Sequence, residues 1–186
     1  MEREIKNMIN SENPAEHWAF LPTLDQVVLD LGCGINNGEF TPTPLYWIEK
    51  GAKQVIGIDP SEQSYQWFKT NYWVKKFINI MDFIDRVEKF ELYLGYYKPS
   101  VVKIDVEGGE LFLNGLDSKY LESVRHIGIE YHNLSCLISC ERLLKDNGYE
   151  LEYYKFPTID IDHQGVIYGY KKNITIKTRE NGSITE

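Results

Sequence analysis

The run Val101–Leu111, V-V-K-I-D-V-E-G-G-E-L, places the tightest limit on how this chain can fold. Its Val and Ile residues suit a strand buried on both faces of a sheet. Three carboxylates, Asp105, Glu107 and Glu110, sit in the same run, and an unpaired buried charge is costly. The strand therefore has to end near Asp105, with the acids emerging at its C-terminal edge. In an open α/β sheet that edge is where ligands bind. The stretch is the expected rim of a functional site.

The remaining pattern supplies such a sheet. Short β-branched or aromatic runs at Val27–Leu31, Val55–Ile58, Phe77–Met81, Val101–Val106 and Val124–Tyr131 predict five strands. Helical spacing or start signals predict helices over roughly Thr43–Lys50, Ser61–Tyr72, Asp82–Tyr96, Gly109–Tyr120 and Ser135–Asn147. Glu150–Phe156 and Gly165–Tyr170 close the chain as strands with no helix between them, so they are expected to pair antiparallel. The prediction is α/β: a doubly wound, mostly parallel seven-stranded sheet with one antiparallel strand near its edge.

At 186 residues the chain is expected to form one domain. Its parts are an N-terminal cap over 1–26, a core over 27–172 and a polar, fraying tail over 173–186. In the cap, Pro14 marks a helical start with Glu16 in its first turn. Trp18 and Phe20 either pack on the sheet or line an acceptor pocket.

Net charge of −8 argues against a nucleic-acid partner, because phosphate binding runs on Lys and Arg. No apolar run has the length of a membrane span, and the first ten residues are charged rather than signal-like. An odd set of three cysteines, Cys33, Cys136 and Cys140, points to a reducing cytoplasm. The pattern is silent on oligomeric state.

The first strand ends in a glycine loop, Gly32-Cys33-Gly34-Ile35-Asn36-Asn37-Gly38. Such a turn lets a ligand approach backbone amides. Its G-x-G-x-x-x-G spacing misses the dinucleotide G-x-G-x-x-G by one. The segment Asp30-Leu-Gly32-Cys33-Gly34 instead resembles motif I of class I S-adenosylmethionine-dependent methyltransferases, with Asn36 where that family often has a third glycine. Asp59 ends the second strand and can accept hydrogen bonds from both ribose hydroxyls, charge-assisted bonds worth roughly 1.5–3 kcal/mol each. The alternative is that Asp59 merely caps the Asp59-Pro60-Ser61 turn. An NAD ribose would be served equally well by it. Asp82, after the third strand, is the candidate adenine contact.

The run Lys103-Ile-Asp-Val-Glu-Gly-Gly-Glu110 closely resembles the K-I-D-V-E-G-A-E signature of FkbM-type methyltransferases. Leu113-Asn-Gly-Leu116 resembles their L-K-G segment, and Ile127-Gly-Ile-Glu-Tyr-His132 their strand ending in E-x-H. The resemblance spans about Val27 to Tyr170. It implies S-adenosyl-L-methionine as cofactor and transfer of methyl to an acceptor, here expected to be an oxygen on a small molecule or sugar.

That chemistry needs a group to take the acceptor's proton. Asp105, Glu107 and His132 are the expected catalytic residues, with Glu130 a further candidate at the same sheet edge; histidine is the side chain whose unperturbed pKa, near 6.5, suits proton transfer at neutral pH. Asp30, Gly32, Cys33, Gly34, Asn36, Asp59 and Asp82 are the expected cofactor-binding set. Glu110 is assigned to the N-terminus of the helix after Gly109, and His126 to an exposed strand start. Asp105, Glu107 and Asp59 could converge on a divalent ion, but the resemblance does not call for one, so no metal is expected. The rival readings are an NAD-dependent oxidoreductase on a similar sheet and a non-catalytic cofactor-binding protein of the same fold.

Overall fold

A computed structural model describes residues 5–7, 14–34, 42–71, 74–156 and 163–172. Its strands are β1 (Ile5–Asn7), β2 (Val27–Leu31), β3 (Gln54–Asp59), β4 (Phe77–Met81), β5 (Val101–Ile104), β6 (His126–Tyr131), β7 (Glu150–Lys155) and β8 (Gly165–Tyr170). They form a single sheet in the order β1-β7-β8-β6-β5-β2-β3-β4. Every neighbouring pair is parallel except those of β8, which runs antiparallel to both β6 and β7. Strands β2 to β8 are the expected seven, with the reversed strand one place in from β7. β1 is an addition. Three residues of the expected cap pair parallel with β7, Ile5 opposite Tyr153, and a strand so short leaves no alternation to read.

The helices are α1 (Thr43–Glu49), α2 (Glu62–Asn71), α3 (Val87–Tyr97) and α4 (Leu134–Asp146). The helix expected over Gly109–Tyr120 is not there. Two 3-10 turns, Glu110–Leu113 and Ser118–Leu121, replace it, separated by Gly115 at φ +89°. A left-handed glycine ends a helical turn, while Leu113, Leu116 and Leu121 still reach the core. α3 also starts later than expected. The Asp82 carboxylate accepts the Phe83 N–H at 2.8 Å, a local bond that competes with helix, so 82–85 form a loop.

The two faces of the sheet pack separately because side chains alternate along each strand. Leu29, Leu31, Ile56, Ile58, Val102 and Ile104 meet Phe90 and Leu94 of α3 and Leu137 and Leu144 of α4. Val28, Val55 and Val101 point the other way, onto Trp47 of α1 and onto Trp18. Trp18 is buried, and its ring occupies the space that a side chain at Gly128 would need: a Cβ there would lie 2.9 Å from it. Phe20 stacks on Tyr154 with ring centroids 4.5 Å apart. Both aromatics thus pack on the sheet. His126 is half-buried rather than exposed, with Nδ1 2.7 Å from the Tyr168 hydroxyl, and burial lowers its pKa.

Candidate active site

The C-terminal ends of β4, β3, β2 and β5 border a cavity of about 820 Å³. Strand order sets the sequence of groups along it: Asp82 after β4, Asp59 at the end of β3, Gly32 after β2, and Asp105 after β5. Glu130 and His132, at the end of β6, come next beside Asp105. A volume of this size accommodates an organic cofactor.

Gly32 joins the two halves. It has φ +74°, and a Cβ on it would fall 1.6 Å from the carbonyl oxygen of Asp105. No other residue fits there, so the glycine loop and the acidic run are locked together by backbone contact. The Gly32 N–H is spent on the carbonyl of Ile58 at 2.9 Å.

Asp59 both caps and faces the cavity. Its Oδ1 accepts the Ser61 N–H at 2.8 Å, the Gly34 N–H supports the same carboxylate, and burial raises its pKa against both bonds. Gly34 lies close over it, with room for no side chain larger than hydrogen without displacing Oδ2. Asp82 also borders the cavity, though its oxygens have partners: Lys89 Nζ at 3.0 Å, the Phe83 N–H, and the Tyr93 hydroxyl at 2.8 Å. Partial burial works upward on its pKa, but these bonds outweigh it and hold the carboxyl below its ordinary value.

Two expected cofactor contacts lie behind the loop instead. Asp30 is fully buried, where it accepts the Thr43 hydroxyl at 2.5 Å and the Trp47 indole N–H at 2.9 Å. Its alternation in β2 points it toward α1, away from the cavity. Cys33 is buried with Leu45 and Phe68, and burial pushes its thiol well above the usual range. Both support the loop from behind. Asn36 lies outside the described residues.

Lys103, which sequence reasoning did not single out, lies at the centre of this site's charge network. It is buried to 1% exposure in the middle of β5. Its Nζ donates to the Gly32 carbonyl at 2.7 Å and lies 3.2 Å from Asp30 Oδ1 and 3.5 Å from Asp105 Oδ2. The Trp18 ring covers it, with the ammonium 5.4 Å from the ring centroid. Burial alone would lower its pKa, but Asp30 and Asp105 more than reverse that and raise it. The available signal was a cation in an apolar run whose neighbour strand carries an acid.

At the far end, Glu110 is buried and its Oε1 lies 2.9 Å from His132 Nδ1 and 3.0 Å from the Gly108 nitrogen. The Gly108 N–H also points at Nδ1, 3.1 Å away, but the 2.9 Å approach of Nδ1 to the Glu110 carboxylate needs a proton between them, which makes Nδ1 a donor to Glu110. Glu110 therefore orients His132 and does not serve a helix, which is absent. Nε2 faces Glu107 Oε2 at 3.4 Å and Glu130 Oε1 at 3.6 Å. Glu107 is exposed and has left-handed backbone, φ +53°. Glu130 accepts from the Gln164 amide at 2.6 Å, and burial together with the Asp105 charge raises its pKa to about 7. A carboxyl poised there, beside a free imidazole nitrogen, can accept a proton at neutral pH.

No protein-family model matches this chain. No curated protein matches it either. Solved structures do. Precorrin-6y C5,15-methyltransferase from Geobacter metallireducens aligns over 81% of this chain and 82% of its own, at 15% identity and TM-score 0.55. Magnesium protoporphyrin IX methyltransferase from Synechocystis, solved with bound S-adenosylmethionine, aligns over 80% and 71% at 13% identity and TM-score 0.51. A protein of the NADB-Rossmann superfamily from Streptococcus agalactiae aligns over 89% and 70% at 15% identity and TM-score 0.57. Likeness at these identities defines a fold and leaves function to the site. The fold is the Rossmann-like sheet of the class I S-adenosylmethionine-dependent methyltransferases.

Proposed function

We propose that this single-domain chain is an S-adenosyl-L-methionine-dependent methyltransferase of the FkbM type, acting on an oxygen of a small molecule or sugar. The observation that carries the reading is one cavity that runs from Asp59 and Asp82 to Asp105 and Glu107, with Glu130 and His132 beside them. The FkbM-like residues Lys103, Asp105, Glu107 and Glu110, together with His132, are those at the acidic end. A cytoplasmic location suits three unpaired cysteines, all buried.

The cofactor's ribose hydroxyls would be held by Asp59 and its adenine by the loop at Asp82, with Gly32 beneath. When bound, the cofactor would supply a methyl group for in-line attack by the acceptor oxygen, and the hydroxyl proton would pass to Glu130 or His132. Holding the two reactants in that geometry is worth roughly 7–11 kcal/mol of barrier. Asp105 and Glu107, on the cavity wall, would orient the acceptor.

Calorimetry with S-adenosylhomocysteine and with NAD tests the assignment. The expected result is binding of the first and not the second, weakened tenfold or more in Asp59→Ala, which loses charge-assisted hydrogen bonds. Tight NAD binding with no response to S-adenosylhomocysteine would overturn it. Cofactor binding without methyl transfer to any sugar, lipid or protein extract would favour the non-catalytic reading.

A further inference from the structure

We infer that Asp105, Glu107 and His132 form a site for one divalent metal ion of the Mn²⁺ class at the acceptor end of the cavity. Each offers one ligand atom, and the three atoms lie within 4.8 Å of one another. Ligands bonded to a common ion at about 2.2 Å stand no more than about 4.4 Å apart. The site thus needs only a small contraction, and the exposed Glu107 side chain is free to make it.

The histidine is set up as a ligand. Its Nε2 is shielded from solvent and has no hydrogen-bond partner among the described residues. Its Nδ1 is tied to the buried Glu110 carboxylate at 2.9 Å. A ligating imidazole characteristically gives its second N–H to a carboxylate, which fixes the tautomer and aims the lone pair at the metal. Nε2 faces the carboxylates of Glu107 and Glu130, a convergence of one nitrogen and two carboxylates that a shared cation, a metal ion or a proton, would bridge.

Charge supports the same conclusion. Asp105, Glu107 and Glu130 bring three carboxylates to one corner. Lys103 is the cation facing them at Asp105, and it is shared with Asp30. Asp105 turns one oxygen to that ammonium, which leaves the other for an ion. Two carboxylates with one imidazole suit Mn²⁺ better than Ca²⁺, which takes oxygen ligands, or structural zinc, which takes four nitrogen or sulfur ligands. Three protein ligands leave coordination positions open. If the methyltransferase reading holds, an acceptor with two adjacent oxygens would fill them and Glu130, rather than the ligating His132, would take its proton; the ion site itself does not depend on that reading.

The test titrates Mn²⁺ alone into the full chain, followed by electron paramagnetic resonance, with S-adenosylhomocysteine calorimetry on the same samples. One Mn²⁺ per chain is expected, with affinity falling at least tenfold in Glu107→Gln and in His132→Asn but not in Glu49→Gln, an exposed carboxylate on α1. Thermal melting confirms that each variant is folded. Should His132→Asn fail to fold, Glu107→Gln decides, because its side chain is exposed. No Mn²⁺ binding, or binding unchanged in the folded site variants, overturns the ion site whatever the cofactor does. Mn²⁺ binding without response to S-adenosylhomocysteine upholds the ion site and counts against the methyltransferase reading alone.

Discussion

Lys103 shows how one buried charge can organise a site from behind. It connects Asp30 on β2, the carbonyl of Gly32 and Asp105 at the cavity. Replacing it with methionine would keep the volume and strand Asp30 as an uncompensated buried carboxylate. Breaking a buried pair from one side typically costs about 3–5 kcal/mol. Lys103→Met is expected to lose stability on that scale in urea unfolding, and Asp30→Asn in the same chain to restore part of it. If the single variant unfolds like the unmodified chain, the ammonium is not the partner described. Asp105, at the end of an apolar strand, is supported by this lysine two residues upstream.

Among the elements, the strands were the most legible. Val27–Leu31, Phe77–Met81 and Gly165–Tyr170 have the limits their sequences imply, because turn residues or charges bracket each apolar run. Elements held by a local bond or a glycine were harder. The segment after Gly109 carries leucines at helical spacing yet folds as 3-10 turns, since Gly115 is left-handed. α4 carries a clear local signal, its Asn133 side chain accepting the Cys136 N–H at 2.9 Å, as Ser61 Oγ accepts the Ser64 N–H at the start of α2. Asn133→Ala is expected to cost about 1 kcal/mol, a typical N-cap loss, read as a lower urea midpoint. A larger loss would mean that Asn133 also supports the neighbouring His132 loop.

On the scale of the whole molecule, burying acids at one sheet edge makes stability depend on pH. Glu130 titrates near 7 when folded, well above an ordinary glutamate at about 4.3. The folded chain therefore binds more protons than the unfolded chain between those values. Stability from this group is complete below the lower value and is lost as pH rises toward 7. Glu130→Gln cannot ionise, so the unmodified chain should lose stability relative to it between pH 5 and pH 8. Denaturation of both proteins at the two pH values, without added metal, measures the difference; parallel profiles would contradict the buried, raised carboxyl. Among the described residues no helix is long and apolar enough to cross a membrane.

The sequence by itself determined the class of sheet, the reversed strand near its edge, and the four strand ends that carry Gly32, Asp59, Asp82 and Asp105. These follow from local alternation, turn chemistry and the cost of burying charge, all of which act over a few residues. Only the tertiary structure decided which acids face the cavity. Asp30 and Cys33 turned inward, Glu110 became the partner of His132, and Lys103 emerged as the buried cation between two strands. Pairings of that kind join strands far apart in the chain, and their energy depends on a burial that no short stretch of sequence encodes.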